Sequence, residues 1–187
     1  MGVDKQRYLA YNPPKWWPGG GQWKTSGDSV GFRGEHYHNL DEKGRVIMPL
    51  KFRNTLGNSF VITRGVGPCL SVYRESDFDQ LEERLNALPS LDPHVLRMKR
   101  LLCAPAVDTD TDNQGRVALP ANLRQWAGID AEVVIVGMGE KIEIWSRTGW
   151  VALNDSLGEE EIVQSARETG LARALSGESI ALEAVTS

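Results

Sequence analysis

The chain is predicted to be an α+β protein, mainly β, in which two copies of one small module close on each other as a single β barrel with approximate two-fold symmetry and peripheral helices. Two observations predict this. The segment Asp41–Gly57 aligns without gaps on Asp112–Gly128, and seven of the 17 positions are identical: Asp, Gly, Arg, Val, Pro, Arg and Gly. Unrelated segments share about one such identity, so this is an internal repeat. Each copy is then followed by two β-rich runs, Phe60–Thr63 and Leu70–Tyr73 in the first, Val133–Val136 and Lys141–Trp145 in the second. A strand–turn–strand–helix–hairpin unit of this size is too small for a core of its own, and two of them are best satisfied by burying their apolar faces together.

The elements follow from local chemistry. Asp41 can accept backbone N–H groups across a tight turn, and Gly44 supplies a conformation other residues resist. Arg45-Val46-Ile47-Met48 then leaves as a strand until Pro49, which suits the first turn of a helix, with Gly57 placed for its C-terminal cap. Phe52 and Leu56, four apart, share the buried face of that helix. Pro120, Leu123, Ala127 and Gly128 repeat the pattern. Between the modules, Phe78, Leu81, Leu85 and Leu88 fall at helical spacing over 75–88 and Pro89 ends the run. A second helix is expected from Asp92-Pro93 to about Cys103, with Val95, Met98, Leu101 and Leu102 inward. A matching helix is expected within 151–175.

The resulting division is a flexible N-terminal extension (1–30), a first module (31–78), an inserted helical pair (79–107), a second module (108–151) and a C-terminal helix with an acidic tail (152–187). The extension is broken by Pro13, Pro14, Pro18 and Gly19 to Gly21, while Trp16, Trp17 and Trp23 give it three indoles able to dock on a surface. No apolar run approaches the roughly 20 residues that span a bilayer, and no basic segment followed by an apolar one opens the chain, so a soluble intracellular protein is expected. Two cysteines, Cys69 and Cys103, are too few for a four-thiolate metal site and are expected to be buried and reduced.

The net charge of −4 argues against a nucleic-acid partner until its distribution is considered. Residues 151–187 hold seven acidic and two basic side chains, whereas 1–150 hold 18 acidic and 19 basic, and 31–60 hold five basic against three acidic. The acidity sits in the tail, and a small positive face is left on a nearly neutral body. Arg45 and Arg116 follow the glycine turn in both modules, so a two-fold fold brings two guanidinium groups to one face, where each can grip phosphate or present its fork to guanine. The competing reading is a local ion pair with Asp41 or Asp112; duplication in identical context favours the first. Lys43 adds charge to the first turn, but its counterpart is Gln114. Arg53 and Arg124 also repeat; they sit in the short helices as outward residues suited to positioning phosphate. Arg97, Lys99 and Arg100 lack the preceding turn and partner helix of a helix-turn-helix, and read as a solvated face or a subunit contact.

Other signals fail on spacing. Asp108–Asp112 resembles the start of a calcium loop, but Asn113 replaces the required glycine and Leu119 stands where the bidentate glutamate belongs. His36 and His38 share a strand face without a third ligand and read as surface histidines. With no phosphate-cradling loop, no G-x-S-x-G elbow and no Cys–His constellation, neither an enzyme nor a cofactor is expected.

Taken together, Phe32-Arg33-Gly34-Glu35, Asn39-Leu40-Asp41-Glu42-Lys43-Gly44-Arg45, the Pro49 to Arg53 stretch, Asp112 to Arg116 and Glu143-Ile144-Trp145 make the chain resemble the MraZ family, bacterial transcriptional regulators of two tandem SpoVT-AbrB-type modules. The resemblance covers about residues 31–155; the extension before Val30 and the tail after Leu157 fall outside it. It implies a swapped-hairpin β barrel, a cytoplasmic, nucleoid-associated protein and ring-like homo-oligomers. It also implies binding of double-stranded DNA at short repeated promoter boxes upstream of the division and cell-wall operon. Carried onto this chain, the DNA-contacting loops are the Asp41–Arg45 and Asp112–Arg116 turns, with Arg45 and Arg116 foremost. A near-neutral body binds DNA weakly, so repeated presentation on a ring supplies avidity, and the helices of 75–103 are the expected source of the head-to-tail contact. The alternative is a ring-forming interaction scaffold that does not read DNA sequence.

Overall fold

The computed structural model describes residues 31–171, so the expectations for the Trp-rich extension and for the last part of the acidic tail lie outside the described residues. The strands are β1 (Phe32–Asn39), β2 (Arg45–Ile47), β3 (Phe60–Arg64), β4 (Cys69–Arg74), β5 (Val107–Thr109), β6 (Arg116–Ala118), β7 (Glu132–Gly139) and β8 (Ile142–Ser146). The helices are α1 (Leu50–Leu56), α2 (Glu75–Ala87), α3 (Pro93–Leu102), α4 (Ala121–Trp126), α5 (Arg147–Ser156) and α6 (Glu159–Glu168). None is long and apolar enough to cross a membrane.

Six strands form one antiparallel sheet in the order β1-β7-β8-β4-β3-β5, and β2 pairs with β6 in a separate ribbon. Exchanging each strand for its repeat equivalent, β1 for β5, β3 for β7 and β4 for β8, returns the same order reversed, which is the signature of a two-fold axis. The axis passes between Ser71 and Glu143, which face each other across β4 and β8, and between Val46 and Val117 at the centre of the ribbon. The modules are interlocked: the opening strand of each is hydrogen-bonded to the other's hairpin, β1 to β7 and β5 to β3.

Among the described residues no ladder joins β1 to β5, so the sheet stays open by hydrogen bonding rather than closing as the expected barrel. Pro49 and Pro120 follow the ribbon's strands closely, lack an N–H and turn the chain into α1 and α4, which limits the ribbon to three pairs. The core lies between sheet and ribbon. It gathers Val46, Met48 and Phe52 of the first module, Val117, Leu119 and Leu123 of the second, and Ile62, Leu70, Ile135 and Ile144 of the sheet, all essentially shielded from solvent.

Phe52 and Leu56 are buried on α1 as their spacing requires, and Gly57, at φ +87°, caps it by donating to the Arg53 carbonyl at 3.1 Å. In α3 the Asp92 side chain accepts from the His94 N–H at 2.7 Å. Two helical expectations need correction. Val95 and Leu102 are buried, but Met98 is 37% exposed and Leu101 only half-buried, because α3 rests on β3 through a narrow stripe. The helix expected within 151–175 is two helices, since the chain breaks at Leu157-Gly158. Strand β5, the opening strand that the repeated strand–turn–strand unit calls for before the Asp112 turn, is only three residues long; it has no apolar alternation of its own and adds to the edge of β3.

Phe52 is wholly buried, with ring partners Phe32 at 5.7 Å and His36 at 5.1 Å, both edge-on. Truncating it leaves a cavity where both modules meet, and Phe52→Ala should cost about 3–5 kcal/mol in urea unfolding; a loss under about 1 kcal/mol would show that this core is not shared.

Candidate nucleic-acid interface

The two repeated turns are built alike. In the first, the Gly44 N–H donates to the Asp41 carbonyl at 2.9 Å and the Asp41 N–H to the Arg45 carbonyl at 2.8 Å. Asp41 Oδ1 accepts from the backbone N–H groups of Lys43 (3.0 Å) and Arg45 (2.9 Å). In the second, Asp112 Oδ1 accepts from Gln114 and Arg116, both at 2.9 Å, and the Gly115 N–H donates to the Asp112 carbonyl at 2.7 Å. Gly44 and Gly115 take φ +71° and +75°, the left-handed region that a side chain resists.

Each turn is clasped by the opposite module. The Gly44 carbonyl accepts the Leu119 N–H and the Gly115 carbonyl the Met48 N–H, both at 3.0 Å. Arg124 lies against Gly44 and Arg53 against Gly115, so close that a Cβ built on the glycines would stand 3.0 Å and 2.5 Å from the guanidinium carbons. The arginines are anchored there: Arg53 Nε donates to the Met48 carbonyl at 3.0 Å and Arg124 Nε to the Leu119 carbonyl at 3.1 Å. Both are half-buried rather than outward as expected. The signal was present in the sequence, since Gly and Arg recur together in both modules.

Arg45 and Arg116 come together. In the ribbon Arg45 pairs with Ala118 and Ile47 with Arg116, so these four share the outer face while Val46 and Val117 point into the core. Asp41 Oδ2 accepts from Arg45 Nε at 2.8 Å and lies 2.6 Å from Arg45 Nη2; Asp112 Oδ2 makes the same contacts with Arg116, each at 2.8 Å. Each arginine also reaches the other module's carboxylate, Arg45 Nη1 to Asp112 at 3.6 Å and Arg116 Nη1 to Asp41 at 3.8 Å. These arginines are ion-paired, as the competing reading has it, and they also stand together on one shared face with 26% of each side chain exposed.

The hydrogen bonds from the Arg45 and Arg116 side chains, then their backbone N–H groups, pull the Asp41 and Asp112 carboxyls from the usual 3.8 to about 2. Their charges formally cancel those of the two arginines, and the further positive charge of this pole comes from Arg53, Arg124 and Lys43. Lys43 is fully at the surface, as is Gln114 opposite. Sequence reading missed Ile47, which is 49% exposed between the arginines; an isoleucine alternating outward from Val46 on a short strand was the available sign. His36 and His38 are half-buried, His36 by its contact with Phe52, and burial lowers the His38 pKa.

The family described as "MraZ protein, putative antitoxin-like" matches the chain twice, over residues 32–101 and 102–173. The chain belongs to the MraZ family. The transcriptional regulator MraZ of Halothermothrix orenii is 41% identical over 142 residues, 75% of this chain and 99% of the relative. That of Syntrophomonas wolfei is 39% identical over the same shares, and that of Desulfitobacterium hafniense 41% over 138 residues, 74% of this chain and 95% of the relative. The match extends past Leu157, where the sequence resemblance was expected to end, so α6 lies within the family's extent.

Two outcomes test this geometry. Gly128 also has a positive φ, +60°, but nothing lies within 4 Å of a Cβ built there. Gly128→Ala should therefore cost only the left-handed penalty of about 1–2 kcal/mol, and Gly115→Ala more, because the anchored Arg53 must move. Adding Arg53→Ala to Gly115→Ala should recover part of that loss, and strict additivity in urea would refute the clasp. Because folding depresses both carboxyl pKa values, their contribution to stability is complete above about 3.8 and disappears as pH falls through about 2. Carboxyl carbon shifts should titrate near 2, and midpoints near 3.8 would contradict the pairing.

Proposed function

We propose that this protein is a sequence-specific DNA-binding transcriptional regulator that reads DNA through the paired turns and the outer face of the β2–β6 ribbon. The observation that carries the reading is the convergence of Arg45 and Arg116 across one two-fold axis on an exposed ribbon. A two-stranded ribbon fits a major groove, where an arginine fork meets guanine O6 and N7. Each aspartate engages Nε and one terminal nitrogen, leaving other N–H donors of the five on each guanidinium for a base or phosphate. Solvent and salt screen pairs at the surface, so these pairs orient the arginines without opposing a bidentate contact. Ile47 beside them offers an apolar surface to a thymine methyl group.

The remaining roles follow from position. Lys43 contacts phosphate from the first turn, and Arg53 and Arg124 hold the turns in place while adding positive charge toward the backbone. The interlocked strands support a swapped-hairpin arrangement of two SpoVT-AbrB-type modules, 31–78 and 108–151. The names of the relatives support a transcriptional regulator; the resemblance read from the sequence extends the proposal to a cytoplasmic, nucleoid-associated homo-oligomeric ring acting at repeated promoter boxes of the division and cell-wall operon.

The test is a footprint on the region upstream of the protein's own gene, with intact protein at two salt concentrations. Arg45→Ala should lower specific affinity by about 1–3 kcal/mol and relax base preference at one position of each box. Arg116→Ala should act similarly, less strongly where Gln114 gives the second turn a weaker phosphate grip. Wild-type affinity and preference in both variants would reject the reading, and a ring that binds no promoter DNA would establish the scaffold instead. Lys43→Ala should weaken binding to all sequences alike and reduce the slope of log affinity against log salt by about 0.9; an unchanged slope removes Lys43 from the interface.

A further inference from the structure

We propose that the chain's own N-terminal extension, through Trp16 and Trp17, adds a short strand to the free edge of β3 and fills the groove beside it. The docking is independent of DNA reading. The two-fold axis pairs Ser71 with Glu143, so Arg64, which faces Leu70, is the counterpart of Gly137, which faces Ile142. The edge of β7 at Gly137 is taken, because β1 runs beside all of β7 with Gly34 opposite Gly137. On β3 the equivalent strand β5 reaches only Phe60, Val61 and Ile62, so from Thr63 onward no described residue extends the ladder. The Gly65 N–H donates to the Cys69 carbonyl at 2.8 Å, which turns the Gly65 backbone toward β4 and, by alternation, the Arg64 N–H and C=O toward the open edge. Arg64 Nε is also buried without a partner among the described residues.

This edge is the floor of a groove of about 720 Å³ whose walls lie on opposite faces of the sheet. Trp126, 39% exposed, stands on the Arg64 face, with the guanidinium 4.8 Å from its ring centre and its Nε1 donating to the Gly67 carbonyl at 3.1 Å. Leu101 stands on the Thr63 face, next to Leu102, whose carbonyl accepts from the Thr63 hydroxyl at 2.5 Å. Val66, 67% exposed, closes the end. The slot therefore takes an extended segment with one large apolar side chain on each face. Lys15-Trp16-Trp17 meets that description. With Trp16 opposite Arg64, its indole covers the second face of the guanidinium, and Trp17 falls on the Leu101 side. Pro14 and Pro18 bound the segment: Pro18 biases Trp17 toward extended backbone, and neither proline can donate to a longer ladder.

Reach separates the indoles. From the start of β1 to the groove is five strand spacings across and four residues along the strands, about 27 Å. Trp23, eight residues before Gly31, reaches about 27 Å when fully extended and has nothing to spare for a path over the surface. Trp17, fourteen residues before it, reaches about 48 Å. Tethering supplies the rest, since a segment of the same chain meets the groove at an effective concentration on the order of millimolar, and a contact of a few residues suffices.

The experiment follows exchange of the Arg64 amide by hydrogen–deuterium mass spectrometry in the full chain without DNA. Four preparations are compared: wild type, Trp16→Ser with Trp17→Ser, Trp23→Ser, and Val66→Glu. Wild type and Trp23→Ser should protect the amide about tenfold or more over the other two. Thermal unfolding of the variants should stay close to wild type, since the altered residues lie in the extension or at the surface. A benzophenone side chain placed at Trp17 then identifies the neighbour on illumination: adducts on Leu101 or on residues 66–68 are expected, in a band of single-chain mass on a denaturing gel. Equal exchange in wild type and the double Trp variant overturns the proposal, as do adducts confined to other surfaces. Loss of protection in Trp23→Ser overturns the assignment to Trp16 and Trp17. A band of two-chain mass carrying the same adducts gives the groove to a second copy and overturns docking within the chain. DNA reading is measured separately by the footprint, so its failure is not confused with any of these results.

Discussion

The structure depends on the clasp between one module's glycine turn and the other module's helix arginine. Met48 and Leu119 donate to the Gly115 and Gly44 carbonyls, and Arg53 and Arg124 close over the same glycines. Neither turn can be completed by its own module. This couples the fold to the ribbon face in a direct way, because the geometry that joins the halves is the geometry that sets Arg45 beside Arg116. A module alone would keep its Asx turn but lose the face. The wholly buried pair Val46 and Val117, at the centre of the ribbon, ties the same clasp to the core.

The two-fold symmetry is kept strictly at that pole and relaxed elsewhere. The turns agree in their hydrogen bonds to within about 0.2 Å. On the sheet, the axis instead pairs Ser71 with Glu143, which takes a hydrogen bond from Trp145 Nε1 at 3.0 Å and a salt bridge from Lys141 at 2.9 Å. A symmetric sheet would place two buried carboxylates face to face, at a large electrostatic cost. Substitution after duplication is thus free to diverge wherever identity would be penalised. It stays fixed where two equal elements must present one surface.

Much of this was legible in the sequence because the relevant signals are local and doubled. Glycine after aspartate, proline after a strand, and Phe52 four residues from Leu56 each specify a backbone conformation or a buried face without reference to distant residues. What was not legible is what distance decides. The short extent of β5 is set by the edge that β3 offers it, and Met98 is exposed because of how α3 lies on β3. The open sheet, in place of an expected closed barrel, reflects which edges actually meet. The outward placement expected for Arg53 and Arg124 gave way to anchoring for the same reason. Helical position says which way a side chain leaves its own helix, and it says nothing of a glycine turn brought up from the other module.

The charge arithmetic of the pole constrains how it can discriminate. Two aspartates with pKa values near 2 stay ionised under all ordinary conditions, so the Arg45 and Arg116 charges are permanently matched. Long-range attraction to a polyanion therefore comes from few residues, and non-specific binding by one copy is weak. Orientation is what the aspartates contribute: a guanidinium held on one edge loses little rotamer freedom when its other donors meet a base, so less of the contact energy is spent on ordering it. A pole built this way separates orientation from attraction, placing the first in a rigid duplicated turn and leaving the second to the few unmatched cations around it.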